Sequence, residues 1–185
     1  MPDQVRHDGL GNRKIKDFQM NRKIFFHPER CMLCHSCILA CQMDSLSVSD
    51  PQKIPFHKKP PQRIRITFSR GTPWVWKCQH CLSAPCVEAC VSGSLTAMEG
   101  GTGVIQHPET CVGCGSCLLV CPYGALSYDE DEKRVTKCNL CLEEDTPSCV
   151  KACQSGALVF QELNTFTQGK RKRMAGGKGE VHGMG

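Results

Sequence analysis

Apolar positions in this chain come in short pieces rather than long periodic runs, and most of the pieces read as strands. Ile24-Phe25-Phe26 is an apolar run of strand length, and Arg63-Ile-Arg-Ile-Thr-Phe68 alternates in the manner of a half-buried strand. Tyr128 to Val135, with Asp129-Glu-Asp-Glu132 at its tip, predicts a hairpin, and Gly100-Gly101-Thr102-Gly103 ahead of Val104-Ile105 predicts another. A small-residue turn followed by leucine recurs as Gly93-Ser94-Leu95, Gly124-Ala125-Leu126 and Gly156-Ala157-Leu158, where glycine lets the chain leave a short helix and enter a strand. The remaining stretches are polar. Residues 1–22 predict an irregular extension, Pro51 to Pro61 a loop with Lys58 and Lys59 exposed, and Gln168 to Gly185, carrying Lys170-Arg-Lys-Arg173 and then glycines, a solvated basic tail. No run approaches the roughly eighteen apolar residues of a membrane span. Met1 to Asn21 lacks the apolar segment of a secretion signal, so a reducing cytoplasm is the expected location.

The 16 cysteines change this picture. They fall into four groups of four with none left over: Cys31, Cys34, Cys37 and Cys41; Cys78, Cys81, Cys86 and Cys90; Cys111, Cys114, Cys117 and Cys121; Cys138, Cys141, Cys149 and Cys153. The groups are copies in pairs. His27-Pro28-Glu29-x-Cys31 recurs as His107-Pro108-Glu109-x-Cys111, Lys77-Cys78-x-x-Cys81 as Lys137-Cys138-x-x-Cys141, and Cys86-Val-Glu-Ala-Cys90 as Cys149-Val-Lys-Ala-Cys153. The chain therefore reads as a duplicated two-group unit, about 23–100 and 101–163. The first group departs from the others by carrying Asp44 and a longer insertion behind it.

Cys111-Val-Gly-Cys114-Gly-Ser-Cys117-Leu-Leu-Val-Cys121-Pro122 has the C-x2-C-x2-C-x3-C-P spacing of bacterial ferredoxin loops. Three thiolates at such intervals wrap three corners of a [4Fe–4S] cube while backbone N–H groups point at its sulfurs. Cys121 lies one helical turn beyond Cys117, a displacement that suits a neighbouring cluster better than the same one. Only Cys121 is followed by proline; Cys41, Cys90 and Cys153 are not. Zinc and disulfides are the competing uses of cysteine, but structural zinc wants two separated pairs, which the runs Cys31–Cys41 and Cys111–Cys121 do not offer. The formal charge of +5 counts every thiol as neutral. Four cluster sites at about −2 each bring the total to about −3, so the basicity is internal compensation rather than a nucleic-acid surface.

Lys77 and Lys137 precede candidate ligands and are candidates to raise local potentials, and His27, His35, His80 and His107 are candidates to donate hydrogen bonds to sulfur. Trp74 and Trp76 read as packing or interface aromatics. No phosphate-binding loop, spare cysteine nucleophile or carboxylate pair supports substrate chemistry.

Taken with the C-x2-C-x4-C-x3-C and C-x2-C-x7-C-x3-C spacing of the second and fourth groups, residues 24–160 resemble the four-cluster iron–sulfur subunits of multisubunit redox enzymes. That family includes the electron-transfer subunits of formate dehydrogenases, dimethyl sulfoxide reductases, carbon monoxide dehydrogenases, formate-linked hydrogenases and some tungsten aldehyde oxidoreductases. The resemblance implies four [4Fe–4S] clusters with crosswise ligands: Cys31, Cys34 and Cys37 with Cys153; Cys138, Cys141 and Cys149 with Cys41; Cys78, Cys81 and Cys86 with Cys121; Cys111, Cys114 and Cys117 with Cys90. It implies an α+β fold of two ferredoxin-like modules with short helices, small β-hairpins and much irregular loop. In that arrangement residues 23–60 plus 130–163 form an outer module and 61–129 an inner one, between an extension at 1–22 and a tail at 164–185. The implied partners are a catalytic subunit, either a tungsten or molybdenum pterin enzyme or a nickel carbon monoxide dehydrogenase, and a flavin/NAD subunit or soluble carrier. Self-association through the termini is a further expectation; nucleic-acid binding and membrane insertion are not expected. The competing reading is an assembly subunit whose clusters mainly hold the fold.

Overall fold

The computed structural model describes residues 22–54, 62–98 and 103–175. The extension at 1–21, most of the Pro51–Pro61 loop, the Gly100–Thr102 turn and the tail from 176 onward lie outside the described residues. In chain order the regular elements are β1 (Arg22–Phe26), α1 (Ser36–Ser45), β2 (Ile64–Ser69), β3 (Thr72–Lys77), α2 (Pro85–Glu88), β4 (Leu95–Ala97), β5 (Val104–Gln106), α3 (Ser116–Val120), β6 (Ser127–Asp129), β7 (Arg134–Thr136), α4 (Ser148–Lys151), β8 (Leu158–Glu162) and α5 (Leu163–Met174). This is a small mixed helix and strand fold of short helices and small sheets.

Pairing follows the duplication. Among the described residues the strands form four antiparallel pairs: β1 with β8, β2 with β3, β4 with β5, and β6 with β7. β4 and β5 close residues 95 to 106 upon themselves, with Leu95 opposite Gln106. Their counterparts β8 and β1 come from opposite ends of the array, with Phe26 opposite Leu158. The turn entering each pair is fastened alike, the His27 N–H donating to the Ala157 carbonyl at 2.7 Å and the His107 N–H to Ser94 at 2.8 Å.

Apolar burial gathers in two places. One holds Ile24, Ile64, Leu140 and Leu158 with Cys37 and Cys149, the other Leu95, Val104, Leu126 and Val135 with Ala84 and Cys117. The helices pack to match, α1 against α4 and α2 against α3. Each buried aliphatic side chain contributes about 1.5–3 kcal/mol. Ordering one residue's backbone costs about 1–2 kcal/mol, so eight such side chains are few for the described residues they hold together.

Two sequence expectations change. The basic tail is helical over Leu163–Met174, because Phe166 stacks on Phe25 with ring centroids 4.1 Å apart and an interplanar angle of 9°. The cations Arg171, Lys172 and Arg173 lie in its last turn, where the helix dipole favours them. The stretch containing Trp74 and Trp76 is strand β3, paired residue for residue with β2. Trp76 Nε1 donates to Thr67 Oγ1 at 2.8 Å, and both indoles are exposed. No helix among the described residues is long and apolar enough to cross a membrane.

Candidate metal centres

The first and third cysteine groups sit on the same kind of loop. A 3-10 turn, Pro28–Arg30 or Pro108–Thr110, delivers the first cysteine, whose N–H donates to the proline carbonyl. Two left-handed residues then curl the chain: Leu33 (φ 58) and His35 (φ 59) in one loop, Gly113 (φ 68) and Gly115 (φ 77) in the other. Ser36 and Ser116 open helices α1 and α3, which places Cys37 and Cys117 in a first helical turn, both buried. Cys34 and Cys114 stay exposed. The Ser36 hydroxyl, then its N–H, holds the Cys34 thiol below its ordinary range, and the Ser116 N–H and hydroxyl do the same for Cys114.

The second and fourth groups begin at the ends of β3 and β7 and again use left-handed residues between their first two cysteines, His80 (φ 49) and Leu140 (φ 60). Cys86 and Cys149 lie in α2 and α4. Backbone N–H groups then turn onto sulfur. Leu95 donates to Cys90 Sγ at 3.4 Å, Leu158 to Cys153 at 3.3 Å, Ala125 to Cys121 at 3.5 Å and Leu140 to Cys138 at 3.4 Å.

The fold brings particular thiols into each other's fields. Burial pushes the Cys37 thiol up to about 11, helped by Cys153 and then by Cys34 and Cys31. Burial, then Cys138, pushes Cys41 up to about 12, with Cys141 acting in the same sense and Arg63 against it. Cys149 is raised by burial and then by Cys138, Cys41 and Cys141. Burial also raises Cys81 and Cys86, with Cys78 and Cys121 acting on both. Cys117 is pushed up to about 11 by burial, with Cys90, Cys111 and Cys114 around it. A recess is lined by those same four cysteines together with Leu95 and Val135. Among the described residues, no three His, Cys, Asp or Glu side chains converge closely enough to hold a single metal ion.

Two ammonium groups are buried between the second and fourth groups. Lys137 is 2% exposed, and its Nζ donates to the carbonyls of Val104 at 2.5 Å and Cys138 at 2.6 Å. Lys77 is 7% exposed and donates to the Cys78 carbonyl at 3.5 Å. Burial pushes both lysines down, while Cys78 and Cys138 act on each to hold it charged. Cys78 also acts on Cys138, in the sense that raises it.

Does this environment suit an iron–sulfur cluster? Thiols crowded in fours ionise reluctantly unless cations join them, which iron supplies. Buried ammonium groups want an anion nearby. His80 has a buried ring nitrogen, Nε2, without a hydrogen-bond partner among the described residues. All three observations fit a sulfur-rich anionic group held by cysteines.

In the sequence Asp44 marks only a departure of the first group from the others, but its place in the site is specific. Its carboxylate accepts a hydrogen bond from Ser148 Oγ at 2.9 Å, lies 3.7 Å from Cys141 Sγ and 3.9 Å from Arg63 Nη1. It thus ties α1 to the fourth group. Of the other candidate histidines, His27 is buried against Phe166, Glu29 and Arg173, while His107 is partly exposed and bonds to Thr96.

Residues 72–163 match the family described as 4Fe-4S dicluster domain. The chain is 30% identical over 175 residues to the electron transport protein HydN of Escherichia coli K12, covering 84% of this chain and 98% of that protein. It is 27% identical over 173 residues to an iron-sulfur protein of Rhodospirillum rubrum, covering 82% of this chain and 88% of that one. An uncharacterized ferredoxin of Methanocaldococcus jannaschii is 32% identical over 152 residues, covering 82% of this chain and 80% of that protein.

Proposed function

This chain belongs to the family of 4Fe–4S dicluster, ferredoxin-like electron-transport proteins, and from that membership we propose that it is an electron-transfer subunit holding four [4Fe–4S] clusters. The clusters supply reversible one-electron redox chemistry. The chain does no substrate chemistry of its own; it spaces, insulates and tunes.

The observation that carries this reading is the company each thiol keeps. Cys37 is influenced by Cys153, Cys41 by Cys138 and Cys141, Cys81 by Cys78 and Cys121, and Cys117 by Cys90, Cys111 and Cys114. These neighbours support four ligand sets that cross between groups: Cys31, Cys34, Cys37 and Cys153; Cys41, Cys138, Cys141 and Cys149; Cys78, Cys81, Cys86 and Cys121; Cys90, Cys111, Cys114 and Cys117. The pairing of α1 with α4 and of α2 with α3 supports two ferredoxin-like modules, the first and fourth groups making the outer one and the second and third the inner.

The sets stand in a row. Cys138 is influenced by Cys78, and both cysteines act on Lys77 and on Lys137, so the sets holding those two cysteines are central. Exposed Cys34 and Cys114 mark the sets at the two ends. Electrons enter at one end and leave at the other. The relatives' names as electron-transport and iron–sulfur proteins support a carrier role between redox partners. The partner we propose at one end is a catalytic oxidoreductase subunit, a tungsten aldehyde oxidoreductase or a carbon monoxide dehydrogenase, with an acceptor subunit or carrier at the other. Anaerobic analysis of the purified chain is expected to give about sixteen iron and about sixteen sulfide. Iron near four to eight, or zinc in its place, would falsify the four-cluster reading. Identification of the subunit that co-purifies tests the partner.

A further inference from the structure

The two copies of the Lys-Cys-x-x-Cys motif differ at one buried position. Lys77-Cys78-Gln79-His80-Cys81 carries His80 where Lys137-Cys138-Asn139-Leu140-Cys141 carries Leu140. Both residues have positive φ and both are buried, so the backbone asks for the same bend and the surroundings offer the same seclusion. Leucine meets that demand without polar atoms. An imidazole must satisfy two nitrogens or lose free energy.

Among the described residues only one of them is satisfied. The Val104 N–H donates to His80 Nδ1 at 3.3 Å, which makes Nδ1 the acceptor and puts the ring proton on Nε2. Nε2 is buried and has no partner among the described residues. The ring cannot easily turn to find another. A side chain at Gly103 would meet His80 Nδ1 at 3.3 Å, so β5 enters close against the imidazole, and Lys23 Nζ holds the His80 carbonyl at 3.2 Å. What remains is a neutral, fixed N–H donor lying in sequence between Cys78 and Cys81.

We propose that His80 donates its Nε2–H to sulfur of the cluster held by Cys78, Cys81, Cys86 and Cys121, and that this bond makes that cluster easier to reduce than its central neighbour beside Leu140. The inference rests on the four-cluster reading. A one-electron donor, the catalytic partner in the complex or dithionite in the test, takes that site from about −2 to about −3, and no proton moves because the hydrogen stays on Nε2. A donor facing sulfur stabilises the more negative state and raises the potential. The two central sites share Lys77 and Lys137 but not this bond, so His80 is one feature that sets them apart, the Asp44 carboxylate beside Cys141 of the neighbour being another.

The test is a redox titration of the intact, cluster-loaded chain followed by electron paramagnetic resonance. His80→Leu, which installs the sister copy's residue, is expected to shift one of the four one-electron transitions to lower potential by about tenfold in its reduced-to-oxidised ratio, 59 mV for one electron. His80→Gln, whose amide both accepts from Val104 and donates to sulfur, is expected to recover most of that shift. Wild-type protein grown with 15N-histidine provides a readout that does not depend on His80→Leu keeping its cluster. A nitrogen coupling on one reduced cluster is expected by pulsed resonance and should vanish in His80→Gln. Absence of that coupling in the wild type, unmoved potentials in a fully loaded His80→Leu, or an equal shift of all four transitions overturns the inference alone. Wild-type iron well below about sixteen overturns the four-cluster reading and the inference with it.

Discussion

The loops 31–37 and 111–117 bend at the same two positions, yet one does so with Leu33 and His35 and the other with Gly113 and Gly115. A left-handed residue other than glycine costs roughly 1–2 kcal/mol, so the first loop carries strain that the third does not. The reason the third loop needs glycine lies outside it. A Cβ at Gly113 would stand 2.2 Å from the Lys133 carbonyl oxygen, because the turn joining β6 to β7 leans on that loop. The matching hairpin of the first half, β2–β3, is longer, and Leu33 remains partly exposed. Duplication thus kept the curl that gathers cysteines, while the choice of residue was set by what packs against it. A second difference runs the other way. The turn at His27 is covered by helix α5, whereas its copy at His107 is open, with a side chain 44% exposed.

The largest expected effect breaks the comparison at Gly113. Gly113→Ala forces a methyl group into backbone and should cost about 2–5 kcal/mol, seen as earlier thermal bleaching of visible cluster absorption and loss of iron from one site. Gly115→Ala meets only Leu118 Cδ1 at 3.8 Å and should cost about 1–2 kcal/mol, from strain alone. Equal losses in the two variants would mean that the Lys133 contact is unimportant.

Next in size is the cover over His27. Phe166→Ala removes the stack on Phe25 and should weaken the seating of α5 by about 1–2 kcal/mol. Trypsin should then cut faster within Lys170–Arg173 while cleavage at Lys151 is unchanged.

A pH series sharpens the same contrast. Burial, then Arg173, holds His27 below its ordinary value of 6.5, against the pull of Glu29. The unfolded chain therefore binds this proton more readily than the folded one. The contribution of neutral His27 is fully present above pH 6.5 and is lost as pH falls from there through the lowered value. Measured as the difference in melting temperature from His27→Gln, so that acid loss common to both cancels, the slope should appear below pH 6.5 and be absent above it. A difference independent of pH would rule out that account.

The smallest effect is expected at Leu33. Leu33→Gly relieves the left-handed strain but loosens the unfolded chain, so the net change should lie within about 1 kcal/mol and favour stability. Thermal bleaching is the measurement. A loss comparable with that of Gly113→Ala would show that Leu33 holds the loop by contacts rather than merely tolerating its bend.

What was legible in the sequence is what spacing alone can carry. Three cysteines at intervals of three, a serine before the third and a proline turn before the first specify each loop locally, and the internal copies doubled that signal. Hairpins such as β6–β7 were legible for the same reason, since their partners lie a few residues apart. Interactions across the chain were not. β1 is five residues long, and nothing within Arg22–Phe26 names β8 as its partner. Helix α5 contains Gly169 and four consecutive cations, a weak helical pattern that became ordered because Phe166 meets Phe25. Lys77 and Lys137 were visible as charges beside cysteines, but their depth depends on strands folded over them, and the role of Asp44 depends on Ser148 in the partner half. The orphan nitrogen of His80 was not legible either, since only the long-range Val104 contact fixes which nitrogen accepts.

The pairing of β1 with β8 also has a consequence in time. During synthesis Ile24 and Phe25 leave the ribosome about 135 residues ahead of Val159 and Phe160, which they face. At about 5–20 residues per second the wait is on the order of ten seconds. β4 and β5, by contrast, can pair almost as soon as they appear. The middle of the molecule can therefore form on the nascent chain, while an early apolar strand must be kept from other partners until the last strand arrives to close it.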